Sequence, residues 1–416
     1  MPFDRTNLPA GFTVGHAWGH GPAANSADPA PAVASAAILQ RIRAGSVERE
    51  IERRLPTEEI AWLREGGLTA LRVPKEYGGA GLSLAGLFEF LIHLSEADSN
   101  LTQALRAHFG FTEHILTSPA QRRNVWLARL AKGDLVGAAW SETGGEARQQ
   151  SFSTRLTQEA DGWRLSGNKF YTTGSLYADW IHVGASNAEG EPVAVTIDRH
   201  APGVDVIDDW DGMGQRLTAS GTSRFTNVAV DPAEIASEAA PFYYSEAFYQ
   251  LVHLATLAGI GRAAATDAAA AVAARKRGYS HAPAALPADD AQLLQVVGRV
   301  RAQAYAAGAI VAQAAQALER AAGAAGRDDA LALTVEAELE IWQAQTVVSQ
   351  LILDATSDVF DALGASATLR SAGLDRYWRN ARTITSHNPR VYKDRIVGNF
   401  AVNGTVPPGQ WRIGVA

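Results

Sequence analysis

The sequence contains no cysteine among its 416 residues. This absence excludes disulfide bonds, catalysis by a thiolate, and zinc or iron–sulfur sites held by cysteine. The chain also lacks an excess of basic residues, since its formal net charge is −7. That mild acidity argues against nonspecific nucleic-acid binding, which depends on a basic surface.

Long apolar runs are missing as well. No stretch approaches the roughly 20 uninterrupted apolar residues of a membrane span. The first residues, MPFDRTNLPAGFTVGH, show no basic segment followed by an apolar one, so we expect no signal peptide. No G-x-G-x-x-G segment follows a predicted strand, which argues against a nicotinamide-binding domain. We expect a cytoplasmic protein without nucleic-acid or membrane partners, and we predict no metal site.

What the chain does contain is enough apolar material for several domains. Hydrophobic residues make up 47% of the sequence, and domains of about 100–200 residues suggest two to four units. Residues 1–30 are rich in Pro, Ala, Gly and Asn, which predicts a flexible arm. Apolar residues then recur at three- and four-residue steps over 31–133, which predicts a helical domain.

The apolar period changes near residue 134. Two alternating runs flank an Asp161–Gly162 turn, which predicts a β-hairpin, and further strand-like segments continue to residue 236. From 237 to 416 the pattern is helical again, and its many alanines favour close helix packing. The predicted fold class is α+β multidomain, with an N-terminal helical domain (31–133), a middle antiparallel β-domain (134–236) and a C-terminal four-helix bundle with a tail (237–416).

Four short motifs follow one another in this layout. They are RVPKEYGGAGLS (72–83), VGAAWSETGGEAR (136–148), LSGNKFYTTGSLYADWIHV (165–183) and RYWRNAR (376–382). Layout and motifs together resemble the acyl-CoA dehydrogenase fold over residues 33–400. The resemblance implies a flavoprotein, although the glycine of the second motif comes one residue early.

Two departures separate the chain from acyl-CoA dehydrogenases, which abstract a proton with a glutamate. That position falls at Asn388, and an amide cannot serve as a carboxylate base. An alternative position on an earlier helix falls near Tyr249, where the only nearby acid is Glu246. The segment DALGASATLR (361–370) lacks the glutamine and second glycine that hold the adenosine of FAD, which favours FMN.

Both departures point to the flavin-dependent monooxygenase branch of this fold, the dibenzothiophene monooxygenase-like enzymes of sulfur acquisition. GQRLTASGT (214–222) resembles a segment of that branch, and RNARTITSHNP resembles its R-N-A-R-T-H-T-x-H-D-P. His387 matches the second histidine, whereas Ile384 and Asn388 replace the first histidine and the aspartate.

The resemblance implies a homotetramer that receives FMNH2 from a separate reductase. It would transfer oxygen from a C4a-hydroperoxyflavin to a small organosulfur or related heteroatom substrate. An acyl-CoA dehydrogenase or flavin oxidase is the first alternative, and a non-catalytic scaffold of this fold is the second.

The same resemblance implies the catalytic residues. His387 is expected to be an acid or hydrogen-bond donor, because imidazole titrates near neutrality. Ser386 would assist it, Asn388 would orient it, and His108 and Thr173 would lie beside the flavin. The alternatives are a helix-capping histidine, a core or surface histidine and an ordinary strand threonine.

Further residues are predicted to contact the cofactor or the substrate. Trp140, Ser141 and Thr173 would contact the flavin ring. Arg275 or Arg277, with Ser280, would bind the phosphate of a neighbouring subunit's flavin, because a guanidinium suits a phosphate. Trp210 and Phe109 are the candidates for the substrate pocket. The alternatives are solvated charges and core aromatic residues. The Arg376, Arg379 and Arg382 stripe is predicted to be structural.

Overall fold

A computed structural model describes residues 18, 30–143, 152–236 and 242–409. The predicted arm (1–30) lies outside the described residues except for Trp18 and Ala30, and so does the end of the predicted tail. The helices are α1 (Ala30–Ala44), α2 (Ser46–Glu52), α3 (Thr57–Glu65), α4 (Leu84–Ala104), α5 (Arg106–Leu116), α6 (Ala120–Ala131), α7 (Ser245–Ala274), α8 (Ala291–Ala322), α9 (Ala330–Leu363), α10 (Asp375–His387) and α11 (Arg390–Asn403). The strands are β1 (Val136–Ala139), β2 (Arg155–Glu159), β3 (Gly162–Lys169), β4 (Trp180–Ser186), β5 (Pro192–Asp198), β6 (Val204–Val206), β7 (Ser223–Val230) and β8 (Ile235–Ala236).

The central helix of the N-terminal part is α4. Ser83 caps its start, because its hydroxyl accepts a hydrogen bond from the main-chain nitrogen of Gly86 at 3.0 Å. The helix is kinked at Asp98, where φ is −160°. One carboxylate oxygen of Asp98 accepts from the Asn100 main-chain nitrogen at 3.1 Å, and the other pairs with buried Arg49 at 2.9 Å. These contacts replace the helical hydrogen bonds that the kink removes.

The middle part is one sheet in the order β6-β7-β3-β2-β4-β5-β8. The predicted hairpin is present, since Glu159 pairs with Gly162 across the β2–β3 turn. Most neighbours are antiparallel, but β1 pairs with β4 in parallel, and so does the start of β2. The parallel pairing brings the chain that leaves β1 at Ala139 to the edge of the sheet beside Val183.

The C-terminal part is a bundle of long helices. α7, α8 and α9 contain 30, 32 and 34 residues, and α10 and α11 pack against α9. Small residues permit close packing: a Cβ on Gly261 of α7 would lie 2.5 Å from Ile352 of α9. α4 packs against α7, and a single buried apolar cluster contains residues of both helices.

The predicted three-part α+β architecture is confirmed. The change between the first two parts falls between α6, which ends at Ala131, and β1, which begins at Val136. Residues 237–241 lie outside the described residues, so the domain boundaries proposed from the sequence stay predictions. None of the helices that the structure describes combines the length and apolar character of a membrane span.

Candidate active site

The first part of the site lies where β1 leaves the sheet. The Phe170 main-chain nitrogen donates to the Ser141 carbonyl at 2.9 Å, so residues 140–141 run beside the segment that follows β3. The Ser141 residue is exposed. The ring of Trp140 packs against His182 and Phe152, with centroids 5.4 Å and 6.0 Å away. Trp140 is thereby fixed at the sheet edge, next to an accessible hydroxyl.

A chain of three hydroxyls continues this edge. The Oγ1 of Thr173 lies 2.7 Å from Ser220 Oγ, which lies 2.7 Å from Thr218 Oγ1. Thr218 in turn donates to the Gln215 carbonyl at 2.9 Å. Thr173 is half-buried and ends the chain on the accessible side. Because Thr218 gives its proton to Gln215, Ser220 donates to Thr218 and Thr173 donates to Ser220. Thr173 Oγ1 is therefore left as an acceptor, which suits an N–H group of a flavin ring, and the exposed Ser141 hydroxyl can donate or accept.

We call residues 214–222 (GQRLTASGT) the strap. At one end, the Gly221 carbonyl accepts from the main-chain nitrogen of Thr172 at 3.1 Å, and at the middle the Thr218 carbonyl accepts from that of Gly174 at 3.0 Å. At the other, the Gln215 main-chain nitrogen donates to Asn380 of α10 at 2.5 Å. A Cβ on Gly214 would lie 2.1 Å from the carbonyl oxygen of Arg379, so only glycine permits this approach. The strap therefore connects the Thr173 segment to α10.

His387 ends α10 and forms the second part of the site. Its Nδ1 lies 3.2 Å from Asn388 Oδ1, and Asn388 Nδ2 donates to Gln250 Oε1 of α7 at 2.8 Å. An amide oxygen only accepts, so Nδ1 carries the proton of the neutral ring and Nε2 is left as an acceptor. Gln345 of α9 also donates to the Asn388 carbonyl at 2.8 Å. This geometry supports the predicted orienting role of Asn388.

The electrostatic setting of His387 changes its expected role. The residue is exposed, yet burial and the neighbouring Arg106 lower its pKa to about 4. The ring of His387 is accessible although many protein atoms surround it, so it lies in the wall of an open cleft. His387 is neutral at pH 7 and has an accepting Nε2. The tautomer and the low pKa argue against the donor predicted from the sequence and favour a hydrogen-bond acceptor.

A second histidine, His253 of α7, contacts His387 in the same cleft wall. The two ring centroids are 4.4 Å apart, and the planes are tilted by 50°. His253 is 1% exposed, and within the described residues neither of its ring nitrogens has a hydrogen-bond partner. Burial, His387 and Arg106 hold its pKa well below the ordinary value. It is therefore a neutral imidazole with unused polar atoms.

Arg106, the first residue of α5, completes this cluster. Its Nε donates to the Tyr249 carbonyl at 3.4 Å, and its guanidinium lies 4.5 Å from the centre of the Tyr249 ring. The helices approach closely here, because a Cβ on Gly110 would lie 2.3 Å from that ring. Arg106 keeps some accessible surface, although burial lowers its pKa. Within the described part of the chain no carboxylate lies within ion-pair distance of it.

Two residues predicted for the site lie in the core. The Nε2 of His108 lies 2.9 Å from the Thr69 carbonyl, and its Nδ1 lies 3.4 Å from the main-chain nitrogen of Val136. With both nitrogens turned to the main chain, His108 fits the core-histidine alternative better than a place beside the flavin. Phe109 is 0% exposed in the large apolar cluster, so it fits core packing better than a substrate pocket.

Ser386 and Trp210 were also predicted for the site, and each makes a hydrogen bond within the chain. The Ser386 hydroxyl donates to the Arg382 carbonyl at 2.8 Å, so it is used within α10 rather than beside His387. Half-buried Trp210 donates from Nε1 to the Gln215 carbonyl of the strap at 3.0 Å. Its ring packs against that of Tyr171 at 6.0 Å. Trp210 remains the candidate for the substrate pocket.

The predicted phosphate-binding residues follow α7. Arg275 is engaged within its own chain, because it donates to the Leu363 carbonyl and, at 2.8 Å, to Ser366 Oγ. Arg277 and Ser280 are exposed on the loop before α8. These two residues are placed to reach outside the chain, and their role at a neighbouring subunit's flavin stays a prediction.

The arginine stripe of α10 has structural contacts at two of its three positions. Arg376 pairs with Asp267 at 3.0 Å, and Arg379 pairs with Glu50 at 2.9 Å. An open cleft of about 380 Å³ beside Arg379 is lined also by Arg216 and Arg370. Eight helical residues separate Arg379 from His387, or about 12 Å along the axis. This cleft is therefore distinct from the one at His387.

Comparisons with known proteins agree with this geometry. Residues 33–134, 137–228 and 251–390 match the N-terminal, middle and C-terminal domains of acyl-CoA dehydrogenase. A dibenzothiophene monooxygenase from Mycolicibacterium goodii is 31% identical over 87% of this chain and 91% of its own length. The chain belongs to the acyl-CoA dehydrogenase family.

Within this family the chain resembles monooxygenases over nearly its full length. A probable FMNH2-dependent monooxygenase from Pseudomonas putida is 27% identical over 91% of this chain and 96% of its own length. The crystal structure of FMN-bound TdsC from a Paenibacillus species has a TM-score of 0.84 and 28% identity, and it covers 92% of this chain and 99% of that one. The predicted flavin-dependent monooxygenase branch is confirmed, and the predicted cofactor, FMN, is the one that both of these relatives are named with.

Sequence reasoning missed Arg106, His253, Gln250 and Ser220. His253 had one available signal, because it is a lone imidazole within the apolar run LVHLATLAG. Arg106 had none, since an arginine at a helix start is ordinarily solvated. Arg106 contacts Tyr249, on the same helix as His253, across 143 residues of sequence, and local patterns do not report such helix packing.

Proposed function

We propose that this chain is an FMNH2-dependent monooxygenase that places one oxygen atom of O2 on a small organosulfur or related heteroatom substrate. The observation that carries the proposal is the His387–Asn388 pair, which stands where acyl-CoA dehydrogenases have their glutamate. The Asn388 amide cannot act as the carboxylate base of that position, and burial lowers the pKa of His387 to about 4, which leaves its neutral imidazole a weak base. It can accept a hydrogen bond, or a proton, from a ligand hydroxyl.

The sheet edge fits the flavin ring. Thr173 offers a hydroxyl acceptor and Ser141 an exposed hydroxyl at the accessible end of the sheet, and Trp140 supplies a fixed aromatic surface. We assign the phosphate to exposed Arg277 and Ser280 of a neighbouring subunit. When bound, the reduced flavin supplies the electrons with which oxygen is activated.

The residues of the chain then position the reaction and exclude water. Asn388 fixes the tautomer of His387, and Gln250 fixes Asn388. The helices α5, α7 and α10 close the site behind His387 with buried side chains. A dry setting strengthens each polar contact that remains.

The partners of the enzyme follow from this assignment. FMNH2 must come from a separate flavin reductase, because we find no nicotinamide-binding motif in the sequence. A homotetramer would bring Arg277 of one subunit to the flavin of another. A role in sulfur metabolism accords with the names of the relatives.

Mixing with oxygen tests the proposal. The purified protein is combined anaerobically with FMNH2, oxygen is added in a stopped-flow instrument, and the flavin absorbance is recorded. We expect a transient spectrum that differs from those of reduced and oxidised FMN and outlasts the reaction without protein. Because His387→Ala removes one hydrogen-bond partner, the transient should decay about tenfold faster.

The matched control is His200→Ala, since His200 is exposed in the turn that follows β5. This variant should leave the transient unchanged. Immediate formation of oxidised FMN and free peroxide in the unaltered protein, at the rate seen without protein, would contradict the proposed function.

A further inference from the structure

The end of β3 carries a buried lysine that the proposed function has not used. Lys169 is 2% exposed, and its Nζ donates to the Glu142 carboxylate at 2.8 Å and to the Trp140 carbonyl at 3.2 Å. The centre of the Phe152 ring lies 3.9 Å from the same ammonium. A buried ion pair contributes little net stability compared with an apolar pair of similar size. The role of this pair therefore lies in what it holds in place.

Glu142 uses both oxygens of its carboxylate. Oε2 accepts from the main-chain nitrogen and the hydroxyl of Ser153 at 2.7 and 2.8 Å. Oε1 accepts from the same two groups of Thr154 at 3.0 and 2.8 Å, and also from Lys169. Burial opposes the negative charge, but these hydrogen bonds lower the pKa of Glu142 to about 2, so it is charged at neutral pH. Glu142 thus joins the chain after β1, the chain before β2 and the end of β3.

The ion pair lies directly behind the residues that we assign to the flavin ring. Lys169 holds the carbonyl of Trp140, and the next residue, Phe170, donates from its main-chain nitrogen to the Ser141 carbonyl at 2.9 Å. Glu142 follows at once and binds the ammonium with its side chain. Three consecutive residues are therefore attached to the end of β3, whereas the side chain of Ser141 stays on the accessible side.

We propose that the Lys169–Glu142 ion pair positions the flavin-binding segment, so that the affinity for FMN depends on the charge of a lysine buried behind it. The inference rests on the proposed monooxygenase function, in which Trp140 and Ser141 contact the flavin ring. Lys169 is a positioning residue, because its ammonium holds the Trp140 carbonyl and the Glu142 carboxylate at one point. A neutral amine in its place leaves a buried carboxylate without a counter-charge, and the segment is then no longer fixed.

This role makes flavin binding dependent on pH. Burial lowers the pKa of Lys169 to about 8, although Glu142 favours the charged form. Among the described residues Glu142 is the one charged group that acts on the ammonium, and the residue opposite on β7 is Ser223. His182 packs against Trp140, but burial holds its pKa well below the ordinary value, so it does not titrate above pH 7. The affinity for FMN should be full below pH 8 and decline as the pH rises through 8.

Titration of the protein with oxidised FMN, followed by flavin fluorescence at pH 7 and pH 9, tests this role without turnover. In the unaltered protein the dissociation constant should be up to about tenfold larger at pH 9, since one proton controls the segment. Lys169→Met keeps the length of the side chain and removes the charge, so it should bind FMN about tenfold more weakly at pH 7 and show no pH dependence. Lys169→Arg should retain most of the affinity at both pH values, because a guanidinium does not titrate there.

The double variant Lys169→Met/Glu142→Gln leaves no unpaired buried carboxylate, so it tests the same role if the single variant is unstable. Its affinity for FMN should also be low and independent of pH. Lys132→Met is the control, because Lys132 is exposed at the end of α6. It should keep both the affinity and the pH dependence of the unaltered protein. Urea unfolding shows which variants are folded under the conditions of the titration.

Two outcomes would overturn the positioning role. In one, the unaltered protein binds FMN equally well at pH 7 and pH 9. In the other, Lys169→Met is less stable to urea but binds FMN with the affinity and pH dependence of the unaltered protein, which is the result of a purely structural ion pair. Failure of the proposed function is distinguishable, because the unaltered protein would then bind no FMN at either pH or show no flavin transient.

Discussion

At the scale of single residues, the site depends on which protonation states its neighbours permit. Asn388 holds the Nδ1 proton of His387 but carries no charge. Arg106 and burial then lower the pKa of His387 to about 4, because nothing beside the ring favours its charged form strongly enough. Burial and Arg106 thus keep the imidazole neutral, whereas Asn388 fixes its tautomer and leaves Nε2 as the acceptor.

Asn388→Asp should reverse this state. A carboxylate beside Nδ1 favours the imidazolium, so we expect the pKa of His387 to rise by about one to two units. The measurement is a pH titration of the histidine signals by NMR in the flavin-free protein, with His387→Gln used for assignment. Asn403→Asp, at the exposed end of α11, is the control and should leave that pKa unchanged. An unchanged pKa in Asn388→Asp would mean that residue 388 does not face the ring in solution.

At the scale of elements, the contact between α5 and α7 sets the position of the cationic group. Gly110 lies against the Tyr249 ring, and Tyr249 holds Arg106 by its carbonyl. The spacing of the two helices is therefore fixed by a glycine on one side and a large ring on the other. A change of one methyl group at this contact is expected to move Arg106.

Gly110→Ala should lower the free energy of unfolding by about 1–3 kcal/mol, because its Cβ would overlap the Tyr249 ring. Gly298→Ala in α8 is the matched control, since nothing lies within 4 Å of the new Cβ. It should raise stability by up to about 1 kcal/mol through helix propensity. Urea denaturation of both variants measures the difference, and equal stability of the two would refute the close approach.

At the scale of the whole molecule, the chain buries several neutral histidines. His108, His182 and His253 are each at most 9% exposed, and burial lowers the pKa of all three. The unfolded chain therefore binds more protons than the folded one at mildly acidic pH. Stability is full above the ordinary histidine pKa and declines as the pH falls towards the folded values.

For His108, the size of this decline in the free energy of unfolding can be stated. Its pKa falls from 6.5 to about 4, which removes roughly 2 kcal/mol of unfolding free energy between pH 7 and about pH 5. His108→Gln cannot titrate, so its stability should fall by that much less over the same range. Urea midpoints at the two pH values measure the difference. An identical decline in the variant would show that His108 titrates normally in the folded protein.

Much of the fold was predictable because the sequence patterns that indicate it are local. The change from helical to alternating periodicity identified the middle sheet, and the Asp161–Gly162 turn identified the β2–β3 hairpin. His387 and Asn388 were predicted together because they are neighbours in one motif. The parallel pairing of β1 with β4 was not, since it depends on register between distant segments.

The part of the site that the sequence did not predict was missed for the same reason, because it depends on contacts between distant segments. His253 and Arg106 become functional candidates only when α5, α7 and α10 pack together, and no spacing along the chain reports that packing. His108 and Phe109 show the reverse case: they were predicted beside the flavin and in the substrate pocket, whereas the structure buries both side chains in the core. Local patterns predict which elements form, whereas polar side chains acquire roles from what packs beside them.

The strap makes the two halves of the site a single mechanical unit. Its nine residues are anchored to Thr172 at one end and to Asn380 at the other, so neither half of the site can move independently of the other. Any change of the strap that widens the cleft also displaces the hydroxyl of Thr173. New ligand preferences are therefore more readily acquired on α5 and α7, whose side chains line the cleft without supporting the sheet edge. Side chains of α5 and α7 thus determine which ligands the enzyme accepts, and the strap keeps the flavin-binding groups in place.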